Sequence, residues 1–172
     1  VPLAANHVLL QFMMFSVFAL DGFAFAAEAL VGAALGAGQR VAVRQSAVFT
    51  AVWGAATVVV LAFAFALFGG ALIDFLTTAE EVRVEARAYL PWMVVAPLIG
   101  CAAWMLDGIF IGATRTREMR NMMAVSLAVY GAAALALVPA FGNHGLWAAL
   151  VMSFVARGVT LGLLYPRHDA GA

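Results

Sequence analysis

Three carboxylic acids interrupt long apolar runs in this chain, Asp21 and Glu28 in one run and Asp107 in another. Asp21 and Asp107 stand in near-identical wording, Leu20-Asp21-Gly22-Phe23 and Leu106-Asp107-Gly108-Ile109. A charged side chain at the centre of a bilayer costs about 2.5 to 3.5 kcal/mol on insertion scales, so such residues face a bundle interior or an aqueous cavity and mark ion, proton or substrate pathways. Asp21 and Glu28 are seven positions apart (28 minus 21). At a 1.5 Å rise per residue they share one helix face, about 10 Å apart, and read as an inward-facing polar stripe able to take up a proton or coordinate sodium. The competing reading is that each acid is hydrogen-bonded to a neighbouring helix and holds the bundle together. Asp107 is flanked by Trp104, Met105 and Phe110 and precedes Arg115 by about two turns, so that arginine is an alternative, purely structural partner. Arg157 also lies inside an apolar stretch, where a basic residue must snorkel to the interface or pair with an acid. Pairing, as a structural charge, is its simpler role.

The elements that must position these groups follow from composition. Of 172 residues 66% are hydrophobic and 10% charged, with a mean hydropathy of +1.02, against roughly 45 to 50% apolar and about 25% charged in a soluble domain. The fold class is therefore all-α, a polytopic transmembrane helical bundle of about five spans. Continuous apolarity excludes a transmembrane barrel, whose strands alternate over about ten residues. The spans run from about His7 to Leu35, Ser46 to Ile73, Tyr89 to Ala113, Asn121 to Ala140 and Leu146 to Tyr165. Asp74 to Arg87 is expected to be a charged connection, Pro91 to sit in a first helical turn, and Phe141 to Gly145 to form a tight turn. Pro166 is expected to stop the last helix.

Several functions fall away. All nine basic residues are arginine, the formal net charge is +0 and no long basic run occurs, so nucleic acid is not a partner. Cys101 is the only cysteine and lies in an apolar run, which leaves no disulfide framework and suits a small packing residue. His7, His144 and His168 form no ligand spacing, so no metal site is expected. An intramembrane aspartyl protease would also need two acids on adjacent helices sharing a proton, but neither Leu-Asp-Gly has the Gly-x-Gly-Asp type of setting. Met13, Met14, Phe25 and Trp104 are candidate cavity or substrate contacts, since thioethers and aromatic faces adapt to varied apolar ligands. Trp92 and Trp147, near helix starts, read as interfacial anchors.

The wording Leu3-Ala4-Ala5-Asn6, Leu9-Leu10-Gln11-Phe12, Leu20 through Glu28, Leu30-Val31-Gly32 and Leu35-Gly36-Ala37-Gly38 resembles the multidrug and toxic compound extrusion (MATE) transporters, in particular their bacterial DinF-like branch. Trp104 through Arg115 and Glu118-Met119-Arg120-Asn121 agree, and the likeness covers nearly the whole chain. The resemblance implies two six-helix lobes facing each other across a central cavity, with alternating access exchanging substrate for sodium or protons. On that likeness residues 1–172 are a single transmembrane domain, helices eight to twelve, and a fragment of the two-lobe transporter. Its partners are then membrane lipid, the missing N-terminal helices and small organic substrates, cationic or amphipathic, in a bacterial inner membrane. No enzyme activity and no cofactor beyond the coupling ion are implied. Asp107 matches an acid of helix ten implicated in cation coupling in the sodium-driven branch, whose further acids in helix seven have no counterpart here. The alternatives are a lipid or oligosaccharide flippase of related architecture, whose cavities carry several cations, and a membrane fragment that does not transport.

Orientation follows from arginine placement, because short cytoplasmic loops carry the excess positive charge. Arg40, Arg44, Arg115, Arg117, Arg120 and Arg167 fall on one side, which should be cytoplasmic. Asp74, Glu80, Glu81 and Glu85, against Arg83 and Arg87, fall on the other. Single cysteines placed in a Cys101-free background should therefore react with an impermeant reagent from outside near Glu81 and Asn143 and stay protected near Arg44 and Arg117. Outside labelling near Arg117 would reverse the orientation.

Overall fold

The structure is a computed structural model that describes residues 1–165, and the expectations placed on Pro166, Arg167 and His168 lie outside the described residues. Five helices follow one another, α1 (Pro2–Gly36), α2 (Arg40–Leu76), α3 (Glu80–Gly112), α4 (Thr116–Phe141) and α5 (Asn143–Leu164). Each is long and apolar enough to cross a membrane. Connections of one to three residues make successive helices antiparallel neighbours. The α1–α2 turn closes with the Gly38 amide on the Leu35 carbonyl at 3.0 Å and the Gln39 amide on the Ala34 carbonyl at 2.9 Å, the bonds that satisfy a helix's last free acceptors.

The helices extend past the apolar runs, and two connections differ from the sequence reading. Charge keeps a segment out of hydrocarbon but does not stop it being helical, so most of the acidic stretch after Asp74 extends α3, and only residues 77–79 connect α2 to α3. At 1.5 Å per residue α2 is about 55 Å and α3 about 50 Å long, well beyond a hydrocarbon core of about 30 Å. Pro91 accordingly lies in the helix interior with Pro97, not in a first turn. The junction is clasped by arginines: Arg83 donates to the Asp74 and Thr77 carbonyls at 3.0 and 2.7 Å, and Arg87 reaches the Asp74 carboxylate at 2.6 Å. The second difference is the α4–α5 turn, which is Gly142 alone, at φ 57 and ψ −131, a region open to glycine and strained for other residues.

Helix α3 is the hub, packed against all four others. Its closest approach is to α1. A side-chain carbon added at Gly108 would strike the Ala24 carbonyl oxygen, and one added at Gly112 would lie 2.5 Å from the Glu28 carbonyl oxygen. The four-residue spacing of Gly108 and Gly112 thus fits the four-residue spacing of Ala24, Glu28 and Gly32, the small-residue contact that drives helix association in lipid. Leu9, Phe12, Met13, Phe65, Met93 and Trp147 fill the core towards the end at which α1 begins, while Phe18, Phe49, Phe63, Leu67 and Leu135 are exposed.

Gly108→Leu should force the α1–α3 crossing apart. The expected cost is about 3 kcal/mol or more, since overpacking against backbone has no side chain to yield. Gly22→Ala, with nothing within 4 Å of the added carbon, should be neutral or slightly stabilising. Unfolding of the purified protein in detergent and SDS mixtures measures both.

Candidate functional site

The acids take two different solutions to the same problem. Asp107 in α3 faces Arg157 in α5: the guanidinium donates from Nε to Oδ1 at 3.1 Å, and Nη2 stands 2.6 Å from Oδ2. Both carboxylate oxygens are engaged in the two-point geometry that a planar guanidinium favours. The side chains are only 18% (Arg157) and 13% (Asp107) exposed, so the pair is largely removed from solvent. Arg115, the alternative partner suggested by sequence, turns instead to Glu118 within its own turn, at 3.5 Å. One turn along the same two helices, Trp104 packs edge-on to Phe154 with centroids 5.3 Å apart. Trp104 is therefore part of the α3–α5 contact.

Asp21 and Glu28 are arranged otherwise. Neither pairs with a described residue, and both are half-buried. The buried side of α1 runs through Leu9, Phe12, Met13, Ser16, Leu20, Ala27 and Val31. At 100° per residue, Asp21 and Glu28 fall on the flank between that side and the exposed face that carries Leu10, Met14, Phe18 and Phe25, and the Glu28 backbone meets Gly112 of α3. Those four are exposed by 41% to 70%. The polar stripe thus exists, but it lies at the edge of the α3 contact beside the exposed face of α1 and does not line the interior of the five-helix body. Of the candidate contacts, Phe25 and Met14 lie on the exposed face beside the acids, whereas Met13, 5% exposed, is packed in the core with Phe12 and Phe65.

A polar cluster that the sequence reading missed ties the starts of α1 and α5 together. The Asn6 and Asn143 amides exchange hydrogen bonds at 2.7 and 2.8 Å, and the Trp147 indole donates to Asn6 Oδ1 at 3.1 Å. Nearby, the Trp92 indole donates to His144 Nδ1 at 3.1 Å, and the Tyr89 ring packs against the same imidazole at a tilt of 56°. Trp92 and Trp147, read as interfacial anchors, serve as interhelical donors. The available signal was chemical, since an indole N–H at a helix interface needs an acceptor, and Asn6 at the start of α1 and His144 at the start of α5 supply them. Among the described residues no group of three or more metal-ligating side chains occurs.

Five helices long and apolar enough to cross a membrane, two of them carrying carboxylates within their apolar runs, define a polytopic membrane protein. The family model MatE matches residues 1–138, so the chain belongs to the MATE family, which is a family of transporters and not of enzymes. It is similar to DNA damage-inducible protein F of Escherichia coli (strain K12), 41% identical over 172 residues that cover 96% of this chain and 36% of the relative. The chain thus spans about a third of the length of the curated relative it matches. No solved structure matches it.

Removing one partner of a shielded ion pair strands the other charge. Arg157→Ala should therefore cost about 3 kcal/mol, whereas the double variant Asp107→Asn with Arg157→Gln should cost much less than the sum of its singles. A double-mutant cycle in SDS unfolding measures the coupling. Additive single effects would show that the pair contributes nothing beyond its parts.

Proposed function

We propose that this chain forms the second lobe of a cation-coupled antiporter that exports organic compounds, cationic or amphipathic, across the bacterial inner membrane. The observation that carries the reading is that Asp21, half-buried at the edge of the exposed face of α1, pairs with no described residue. Asp21 lies about 28 Å from one end of the helix and about 22 Å from the other, at 1.5 Å per residue. At that depth an unpaired carboxylate is tolerated only beside water or another protein surface, and a central cavity completed by further helices supplies both. Phe25 and Met14, interleaved with the acids, offer an adaptable apolar surface to a lipophilic cation. Coupling then works by population shift: a cation held at Asp21, Glu28 or Asp107 favours one facing of the lobe, by as much as its affinity differs between the two states. The coupling ion is sodium or a proton.

A flippase for anionic lipid or oligosaccharide headgroups is less well supported. Such a cavity needs unpaired cations at depth, and Arg157, the arginine placed well inside a span, is neutralised by Asp107.

The test uses the full-length transporter in proteoliposomes. Asp21→Asn and Asp107→Asn should each weaken the dependence of efflux on an imposed ion gradient about tenfold, within the usual range of coupling between two sites, with insertion intact. Arg117→Gln, at the exposed start of α4, should leave coupling unchanged. Normal expression and unaltered ion dependence in both acid variants would make the acids structural and move the coupling site elsewhere in the transporter.

A further inference from the structure

The engagement of Asp107 has a consequence for how a cation reaches it. Both of its oxygens face the Arg157 guanidinium, at 3.1 and 2.6 Å, in a site largely shielded from water. A second cation at the same carboxylate would stand within contact distance of that guanidinium, where like charges repel strongly because solvent does not screen them. Binding at Asp107 is therefore an exchange, not an addition.

Arg157 has somewhere to go. It lies seven residues before the end of α5 at Leu164, and Asp107 five before the end of α3 at Gly112, so both are within about 10 Å of their helix ends. Those ends carry the arginine-rich α3–α4 turn. A long guanidinium side chain freed from Asp107 reaches the headgroup layer by snorkelling. We propose that Arg157 is a tethered cation that occupies the coupling site of Asp107 in the unloaded state and is displaced by the coupling cation. This inference rests on the coupling role proposed for Asp107 and adds to it a competitor from the chain itself.

Displacement also changes what joins the helices. Near the α3–α4 turn the polar link between α3 and α5 is this ion pair, with the Trp104–Phe154 contact beside it. At the far end Asn6, Asn143 and Trp147 hold α5 to α1 whether or not the pair is formed. Exchange thus loosens α5 from α3 at one end and leaves the other fastened. The charged or titratable groups on the elements packed against α3 are His7, Asp21 and Glu28 on α1, Arg40, Arg44 and Asp74 on α2, Arg117, Glu118, Arg120 and Tyr130 on α4, and His144 and Arg157 on α5, and of these Arg157 is the one joined to Asp107.

The experiment measures ion dependence of efflux by the full-length transporter, titrating sodium chloride at fixed pH and, separately, pH at fixed sodium, so that the two arms distinguish the ions. With the competitor removed, Arg157→Gln should lower the half-saturating concentration of the coupling cation about tenfold, the scale of one charge-assisted hydrogen bond. The shift should vanish when Asp107→Asn is added. Arg157→Lys, which keeps the charge but loses the two-point fork, should shift it in the same direction by less, and serves if the glutamine variant is not recovered. In the unmodified site, cation titration should change the fluorescence component that Trp104→Phe abolishes. If Asp107→Asn removes ion dependence while both Arg157 variants keep the original half-saturating concentration, Arg157 is not a competitor and the coupling role of Asp107 stands. If Asp107→Asn itself has no effect on ion dependence, both that role and the exchange are wrong.

Discussion

A charge placed in hydrocarbon must find a counter-charge or water, and the arrangement of these helices follows from meeting that demand in two ways. Asp107 and Arg157 cancel one another between α3 and α5. Asp21 and Glu28 stay unpaired and half-buried on the flank of α1, between its contact with α3 and its exposed face. The hub position of α3 is what makes both compatible. Gly108 and Gly112 bring its backbone against α1, while Asp107, the neighbour of Gly108, reaches α5. A bulky residue at either glycine would disturb the α1 crossing and the carboxylate beside it together.

The two halves of the chain are held differently. Apolar packing and backbone proximity join α1, α2 and α3, with the Arg83 and Arg87 clasp on Asp74 at one end, whereas α4 packs chiefly on α5. Helix α5 is in turn fastened by discrete polar links, the Asn6–Asn143–Trp147 cluster and the Trp92–His144 bond at one end and the Asp107–Arg157 pair towards the other. Discrete links are the kind of contact that has two states, made or broken, whereas a packed core deforms little. On the proposed reading, the part of this lobe that responds to a cation is the α4–α5 hairpin, and the rigid part is the α1–α3 crossing.

The five helices were legible from hydropathy alone, because a bilayer imposes length and apolarity on anything that crosses it. Helix ends were not. The stretch from Asp74 to Arg87 looked like a connection because it is charged, yet Arg83 and Arg87 turn back on Asp74 and the backbone stays helical. That Arg157 needs a counter-charge could be read from its depth, but the choice of Asp107 over Asp21 or Glu28 depends on which faces of α3 and α5 meet, and a single sequence does not contain that. The shared face of Asp21 and Glu28 followed from their spacing. Its direction did not, since periodicity locates a stripe on a helix without saying what lies opposite. The Asn6 cluster was missed for a related reason, its members being 137 and 141 positions apart.

The central claim is that the exposed face of α1 beside the acids borders water inside the assembled transporter. Thiol accessibility tests it most directly. In a Cys101-free full-length protein, cysteines at Phe18 and Phe25, on that face, are compared with one at Phe63, an exposed apolar position of α2. A charged, water-soluble thiol reagent should modify the first two readily and leave the third unmodified. Equal inertness at all three positions would mean that the face is buried in lipid or protein, and would contradict the account.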